Sequence, residues 1–375
     1  MRRFHGRSEC SDESEESDGE GRRVVPVRVK ILTRELGALM ILALVGAVLL
    51  DATPTPPPSP PAQTAMLRRQ KGVLEVAFSA DGRTLASVDL SGTVALHDPA
   101  TGAERCRFQE QPSMARSVAL TSDGKVLAIA LLQGGVRLLA TDFADGAFAC
   151  ELGDGGHRTV AFSPDGTLLA AANVRDKTVT LWNWRKKQIT LSLRGDLGCA
   201  NVLRFSPDGR RLVSGWSDGW IRIWEIPSGR ECASFRAHHR GVLSVAFAPD
   251  GRSFATAGMY ERIVRLWSST DGRATGSLPA HEDGVGSVSI SPDGALMATT
   301  GFAPPIRLWD VATGRERATL RGHSPALTSV VFSPNGRLLA SAGLDGTGRL
   351  WDVAKALDLG PSLDPTKTAV AGDAL

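Results

Sequence analysis

Apolar and polar positions alternate along most of this chain in short runs, and the runs end in turn residues. Seven runs share one form, an apolar–x–apolar strand closed by Asp-Gly or Asn-Gly. They are VAFSADG from Val76, VALTSDG from Val118, VAFSPDG from Val160, LRFSPDG from Leu203, VAFAPDG from Val245, VSISPDG from Val288 and VVFSPNG from Val330. Their glycines, Gly82, Gly124, Gly166, Gly209, Gly251, Gly294 and Gly336, follow one another at 42, 42, 43, 42, 43 and 42 residues. Asp-Gly and Asn-Gly supply the positive φ that tight hairpins require. Within each period an apolar run such as LLASAG (338–343) follows the first turn. An alternating run such as GRLWDV follows a second, and a third turn such as ATGRE (312–316) leads to a fourth strand. Four short strands per period predict one propeller blade. No helical period falls between them, which argues against a parallel βαβ sheet.

The pattern therefore predicts an all-β protein, a seven-bladed β-propeller of four-stranded antiparallel blades over residues 63–357. The last repeat stops at its third strand, RLWDV. TAMLRRQKGVLEVAFS from Thr64 aligns with RATLRGHSPALTSVVFS from Arg317, Met66 on Leu320. Residues 64–69 are thus expected as the outer strand of the last blade, which would leave no open seam in the ring.

The stretch TLRGHSPALTSVVFSPNGRLLASAGLDGTGRLWDV resembles the consensus of the tryptophan–aspartate (WD) repeat family, and the resemblance covers about residues 63–355. In particular the chain resembles bacterial membrane-anchored members. Trp182, Trp224, Trp267, Trp309 and Trp351 stand at the third-strand tryptophan position. His97 and Leu139 replace it in the first two repeats, which are the weakest. The following aspartate survives as Asp98, Asp310 and Asp352. The resemblance implies a structural tetrad, His323, Ser341, Asp345 and Trp351, hydrogen-bonded between strands, and only the last repeat has the full set. In the fourth repeat Asp196 takes the histidine's place, and His238 and His281 precede turns without an aligned aspartate.

The first 62 residues break the pattern. Seven carboxylates lie between Glu9 and Glu20, so residues 1–30 are read as a disordered charged tail. Leu36 to Leu50 carries no charge. Counted back to Ile31 it is twenty residues, about 30 Å as a helix, enough to cross a bilayer. Residues 31–50 are expected to form a transmembrane signal-anchor helix. The basic N-terminal flank would leave the N-terminus cytoplasmic and the propeller extracytoplasmic. A cleaved signal peptide, giving a secreted protein, and a buried soluble helix are the alternatives. The proline-rich 51–62 reads as a stiff spacer, and 358–375 as a flexible tail.

The net charge of +3 is too small a bias to indicate a nucleic-acid partner. Cys10, Cys106, Cys150, Cys199 and Cys232 form no C-x-x-C pair, so neither zinc nor a thioredoxin-like couple has a signature. Two arrangements mimic a serine hydrolase. One is the tetrad itself. The other is GWSDG (215–219), which joins two strands rather than the strand and helix of a nucleophile elbow. No catalytic, cofactor-binding or metal-binding residues are assigned. The turns between second and third strands carry Trp216, Trp220, Tyr260 and Phe302, beside loops with His239, Arg240, Glu282 and Asp283. Aromatic centres with polar margins typify binding surfaces. These eight residues are the candidates for contact with a protein partner. Glu75, Ser117, Thr159, Val202, Ser244, Ser287 and Ser329, near the starts of the inner strands, are taken as the lining of the central channel. The expected function is a non-enzymatic protein–protein interaction scaffold tethered to a membrane. A small-ligand receptor or enzyme using the channel, a secreted binding protein, and a stress or signalling sensor are the alternatives.

Overall fold

The computed structural model describes residues 62–67, 71–109, 114–142, 148–195, 198–324 and 326–360. The tail, the anchor segment 31–50 and nearly all of the spacer lie outside the described residues, as do residues 361–375. No helix among the described residues is long and apolar enough to cross a membrane.

Seven four-stranded antiparallel sheets succeed one another along the chain. We call them blades 1 to 7, with strands a to d from the axis outward. The inner strands a are Val73–Phe78, Ala115–Leu120, His157–Phe162, Ala200–Phe205, Val242–Phe247, Val285–Ile290 and Leu327–Phe332. Each lies beside the a strand of the next blade, and that of blade 7 lies beside that of blade 1. The strand b segments sit between two neighbouring blades and are buried on both faces. Leu85–Asp89 is buried at every position, and Leu338–Gly343 at all but its first. The d strands face solvent on one side, and Glu104–Gln109 alternates half-buried with exposed along its whole length.

The closing turns of the a strands explain the recurrent S-x-D-G. In blade 1 the Ser79 hydroxyl donates to Asp81 Oδ1 and accepts from the Thr84 N–H at 3.0 Å, while Arg83 N–H donates to Asp81 Oδ1 at 3.0 Å. Gly82 then takes φ +70°. The same bonds recur at Ser163–Asp165, Ser206–Asp208 and Ser291–Asp293.

Blade 7 consists of Leu327–Phe332, Leu338–Gly343, Gly348–Asp352 and, as its outer strand, Gln63–Met66 from the other end of the ring. Gln63 pairs with Trp351, Ala65 with Leu350 and Met66 with Arg349. Leu67 N–H continues the pairing to the Gly348 carbonyl at 2.8 Å. The Leu67 side chain is buried against the same strand, where a Cβ on Gly348 would come within 2.4 Å of it.

Two local features depart from the expectation. Residues Val353–Leu359 form a short helix, reaching beyond the predicted end of the propeller. The aspartate of Trp351-Asp352 caps it by accepting from Lys355 N–H at 3.0 Å, and Ala356 is wholly buried. Also, the small residues expected to line the channel form seams between blades, whereas Glu75 additionally approaches Arg204 of blade 4. Ser117, Thr159, Val202, Ser244, Ser287 and Ser329 are buried. Ser117 Oγ accepts from Val160 N–H, Ser244 Oγ from Val288 N–H and Ser287 Oγ from Val330 N–H, each in the next blade. Glu75 Oε2 accepts from Val118 N–H in the same way. Small hydroxyls serve here because they satisfy a neighbour's backbone without separating the strands.

Candidate functional site

The last blade carries a continuous hydrogen-bonded chain. Trp351 Nε1 donates to Ser341 Oγ at 2.8 Å, and that hydroxyl lies 2.8 Å from His323 Nε2. His323 Nδ1 is 2.9 Å from Asp345 Oδ2, whose other oxygen accepts from Thr347 N–H and Thr347 Oγ1. Burial works to raise the Asp345 pKa, but His323 and Thr347 hold the carboxyl below its ordinary value. Ser341 is fully buried between Trp351 and His323, a setting for satisfying polar groups rather than for attacking a substrate. Asp345→Ala is expected to lower stability by about 1–3 kcal/mol, the cost of leaving a buried donor unpaired. A urea melt checks it, and an unmoved midpoint would show that His323 finds another partner.

The other blades satisfy the same geometry with different residues. In blade 5 His238 Nδ1 meets Glu261 Oε2 at 2.9 Å, Nε2 meets Thr256 Oγ1 at 2.8 Å, and Trp267 Nε1 donates to that hydroxyl at 2.8 Å. Glu261 was not singled out from the sequence, because it lies one residue beyond the turn tip and has no aspartate alignment. Blade 6 keeps His281, Thr299 and Trp309, bonded at 2.9 and 2.8 Å. In blade 1 His97 fills the tryptophan's place, wholly buried, with Nε2 2.9 Å from Ser87 Oγ. In blade 3 Ala171 stands where the hydroxyl belongs, and the Trp182 indole N–H has no partner among the described residues.

Blade 4 overturns one of the candidate contact residues. Trp216 is 1% exposed and belongs to the core between blades 3 and 4. Its Nε1 donates to Ser214 Oγ at 2.9 Å, beside Trp224 Nε1 on the same oxygen at 2.8 Å. The reason is steric. Trp216 occupies the position held by Gly258, Gly301 and Gly343 in blades 5 to 7. A Cβ on those glycines would strike His238 at 2.4 Å and come to 3.0 Å of His281 and of His323. Where the chain has no histidine, the indole fills the seat. Trp220, also in blade 4, is half-buried against the same core. Ser217 of GWSDG sits in a hairpin turn, where its Oγ accepts from Cys199 N–H at 3.1 Å. Asp196 lies outside the described residues.

The remaining candidates meet on the rim of blades 5 and 6. Tyr260 is 54% exposed at φ +62°, an uncommon backbone conformation for an aromatic residue. Its ring centroid lies 5.7 Å from that of Phe302, and the Arg240 guanidinium stands 5.2 Å from the tyrosine ring. The turn is pinned from both sides, by Met259 N–H to the Gly241 carbonyl and Val285 N–H to the Glu261 carbonyl, both 2.8 Å. His239 is exposed, and its backbone N–H is held by Glu261 Oε1 at 2.7 Å. Glu282 and Asp283 are exposed beside it, and an Asp283 oxygen accepts from Ala303 N–H. Six of the eight predicted residues thus share one surface, with Trp216 in the core and Trp220 half-withdrawn.

Among the described residues no cluster of three or more metal-ligating side chains occurs, and Cys106, Cys150, Cys199 and Cys232 are free thiols.

Comparison with known proteins matches this architecture. The chain is 29% identical over 202 residues to the apoptotic protease-activating factor 1 of Rattus norvegicus, covering 51% of this chain and 16% of that protein. It is 26% identical to a WD repeat-containing protein 91 homolog of Dictyostelium discoideum, over 52% of this chain and 26% of the relative. It is 33% identical to the transducin beta-like protein 3 of Bos taurus, over 27% and 13%. The chain therefore spans only a minor part of each of these longer relatives. The family described as "WD domain, G-beta repeat" matches residues 153–183, 187–225, 229–268, 272–310 and 314–352, half of the chain. The matched segments begin after blade 2, as the loss of the third-strand tryptophan at His97 and Leu139 leads one to expect. With five matched repeats, and the ring of seven blades that contains them, the chain belongs to the WD40 repeat family.

Proposed function

We propose that this protein is an interaction scaffold that binds a protein partner through the rim of blades 5 and 6. The observation that carries the reading is Tyr260, an exposed aromatic ring held at positive φ by a turn pinned on both sides. Strained, exposed side chains persist where the surroundings enforce them, and they concentrate at binding sites. Phe302 and Arg240 enlarge the ring into an apolar centre with a cationic edge, and His239, Glu282 and Asp283 form a polar margin. This matches the anatomy of an interface hot spot. The small, satisfied hydroxyls of the tetrads support a non-enzymatic role. Tethering through residues 31–50, as in the membrane-anchored bacterial proteins the chain resembles, belongs to the same proposal and rests on the twenty-residue apolar run and its basic flank.

The test places a photo-crosslinking amino acid at Tyr260, and separately at Arg185 on the opposite rim, in the full chain in its own cells. A discrete adduct is expected from Tyr260 alone. With the partner so identified, Tyr260→Ala should weaken binding by about thirtyfold, corresponding to ~2 kcal/mol, while Tyr260→Phe retains it. Adducts from Arg185 alone would move the interface to the other rim. In the same cells the chain is expected in the membrane fraction after a high-salt wash, and a mature N-terminus between Ala47 and Ala65 would instead mark secretion.

A further inference from the structure

Every inner strand of the ring has a β-bulge or register shift near its second residue. A bulge leaves one residue out of the ladder and re-aims its side chain. At that position the seven blades carry Leu74, Arg116, Arg158, Asn201, Leu243, Gly286 and Thr328. Asn201 Nδ2 donates to the Val242 carbonyl at 3.0 Å and Thr328 Oγ1 to the Val73 carbonyl at 2.6 Å, each tying its strand to the next blade. Arg116 and Arg158, at equivalent places in adjacent blades, do neither. Both are half-buried, and neither guanidinium forms a hydrogen bond or an ion pair among the described residues.

The inner strands hold three other ionisable side chains, Glu75, His157 and Arg204. Glu75 is engaged: one oxygen accepts from Val118 N–H at 3.1 Å and the other lies 3.9 Å from Arg204 Nη2. His157 is buried, with Nδ1 near the Gly134 carbonyl. Within the inner strands, three arginines thus stand against one carboxylate. Burial, and for Arg158 the neighbouring Arg116, pushes both guanidinium pKa values below their ordinary range, so each charge is held at a cost. Glu75 opposes this for Arg116.

We infer that Arg116 and Arg158 form an oxyanion-binding site in the central channel, suited to a phosphate dianion. Two planar guanidinium forks can each offer paired N–H donors to one tetrahedral group, a geometry that lysine does not supply. A dianion would offset the charge of both guanidinium groups. A free phosphate and the monoester end of a small metabolite share this chemistry. The site stands apart from the rim of blades 5 and 6 and does not depend on the role proposed for it.

Calorimetric titration of the full chain at low salt, with inorganic phosphate and with glycerol phosphate, tests the site. Saturable binding of at least one is expected, and the tighter of the two identifies the free or the esterified form. Arg116→Gln and Arg158→Gln should each weaken it tenfold or more. Arg158→Lys should fall between, because it keeps the charge and loses the fork. Arg273→Gln, a change of an 86% exposed side chain, should bind as the unaltered protein does. Phosphate should also raise the melting temperature of the unaltered chain, as any ligand of the folded state does, and that rise should vanish in the double glutamine variant. Absence of saturable binding by both compounds, or glutamine variants that bind undiminished, would overturn the inference. If a glutamine variant does not fold, the lysine variant decides it by the same criterion.

Discussion

Trp216→Ala is expected to destabilise the propeller by about 3–5 kcal/mol, the range for truncating a large buried aromatic side chain. The indole is 1% exposed, spans the core between blades 3 and 4, and shares Ser214 Oγ with Trp224. It also lies on Gly195, where a Cβ would come within 2.4 Å of the ring. Trp220→Ala, from a half-buried position, should cost clearly less. Guanidinium chloride melts of both variants check the ranking. A loss below 1 kcal/mol for Trp216→Ala would mean that the blade relaxes to close the cavity.

Acid is expected to remove a comparable amount of stability without any substitution. Burial, against a weaker pull from Glu104, pushes the His97 imidazole down to about 4. Burial, aided by Arg307, does the same for His281, also to about 4. Both are therefore neutral in the folded chain at pH values where the unfolded chain, titrating near its ordinary value of about 6.5, takes up protons. Their contribution is fully present above about pH 6.5 and declines as the pH falls through the window to about 4. The loss by then is about 3 kcal/mol for each histidine. His238 acts in the same direction, because burial outweighs the pull of Glu261. The carboxyl groups held below their ordinary values, such as Asp345, lose their contribution only at more acidic pH. Urea melts at pH 7.5, 6, 5 and 4.5 should show the decline, and His97→Gln should flatten it. A profile level between pH 6.5 and 4.5 would contradict the burial of neutral imidazoles.

Much of the fold is legible in the sequence because its main signals are local. The S-x-D-G turns need only neighbouring residues, and the glycine spacing counts the blades directly. The placing of residues near Thr64 on Trp351's blade came from aligning Met66 with Leu320, and Gln63–Met66 does pair with Gly348–Asp352. The misplacements arise where two distant segments decide one side chain. Trp216 ends a strand and precedes a polar turn, so its local context reads as rim. Its burial is set by the missing histidine some twenty residues earlier and by the contrast with Gly258, Gly301 and Gly343, a compensation between two segments. The inner-strand positions expected to line the channel also depend on distant segments. A residue beside a bulge can turn to either face of its strand, and Ser117 and Ser244 bond the backbone of the next blade, a contact between segments more than forty residues apart. Tyr260 was legible as an exposed aromatic, but its positive φ was not, since no glycine or asparagine marks the turn there.

The outer strand of blade 7 has a consequence in time. Gln63–Met66 is the first described strand to leave the ribosome, yet its partner lies far along the chain, Thr64 bonding to Leu350 across 286 residues. At about 5–20 residues per second this interval is roughly 15–60 s. Throughout it the other blades can assemble in order, each from contiguous sequence, while the first strand has no sheet to join. The ring cannot be completed before the third strand of blade 7 is made. Until then the growing chain keeps one unpaired strand at its start and one open edge on its latest blade, a state in which a chaperone can hold it or a second nascent copy can pair with it.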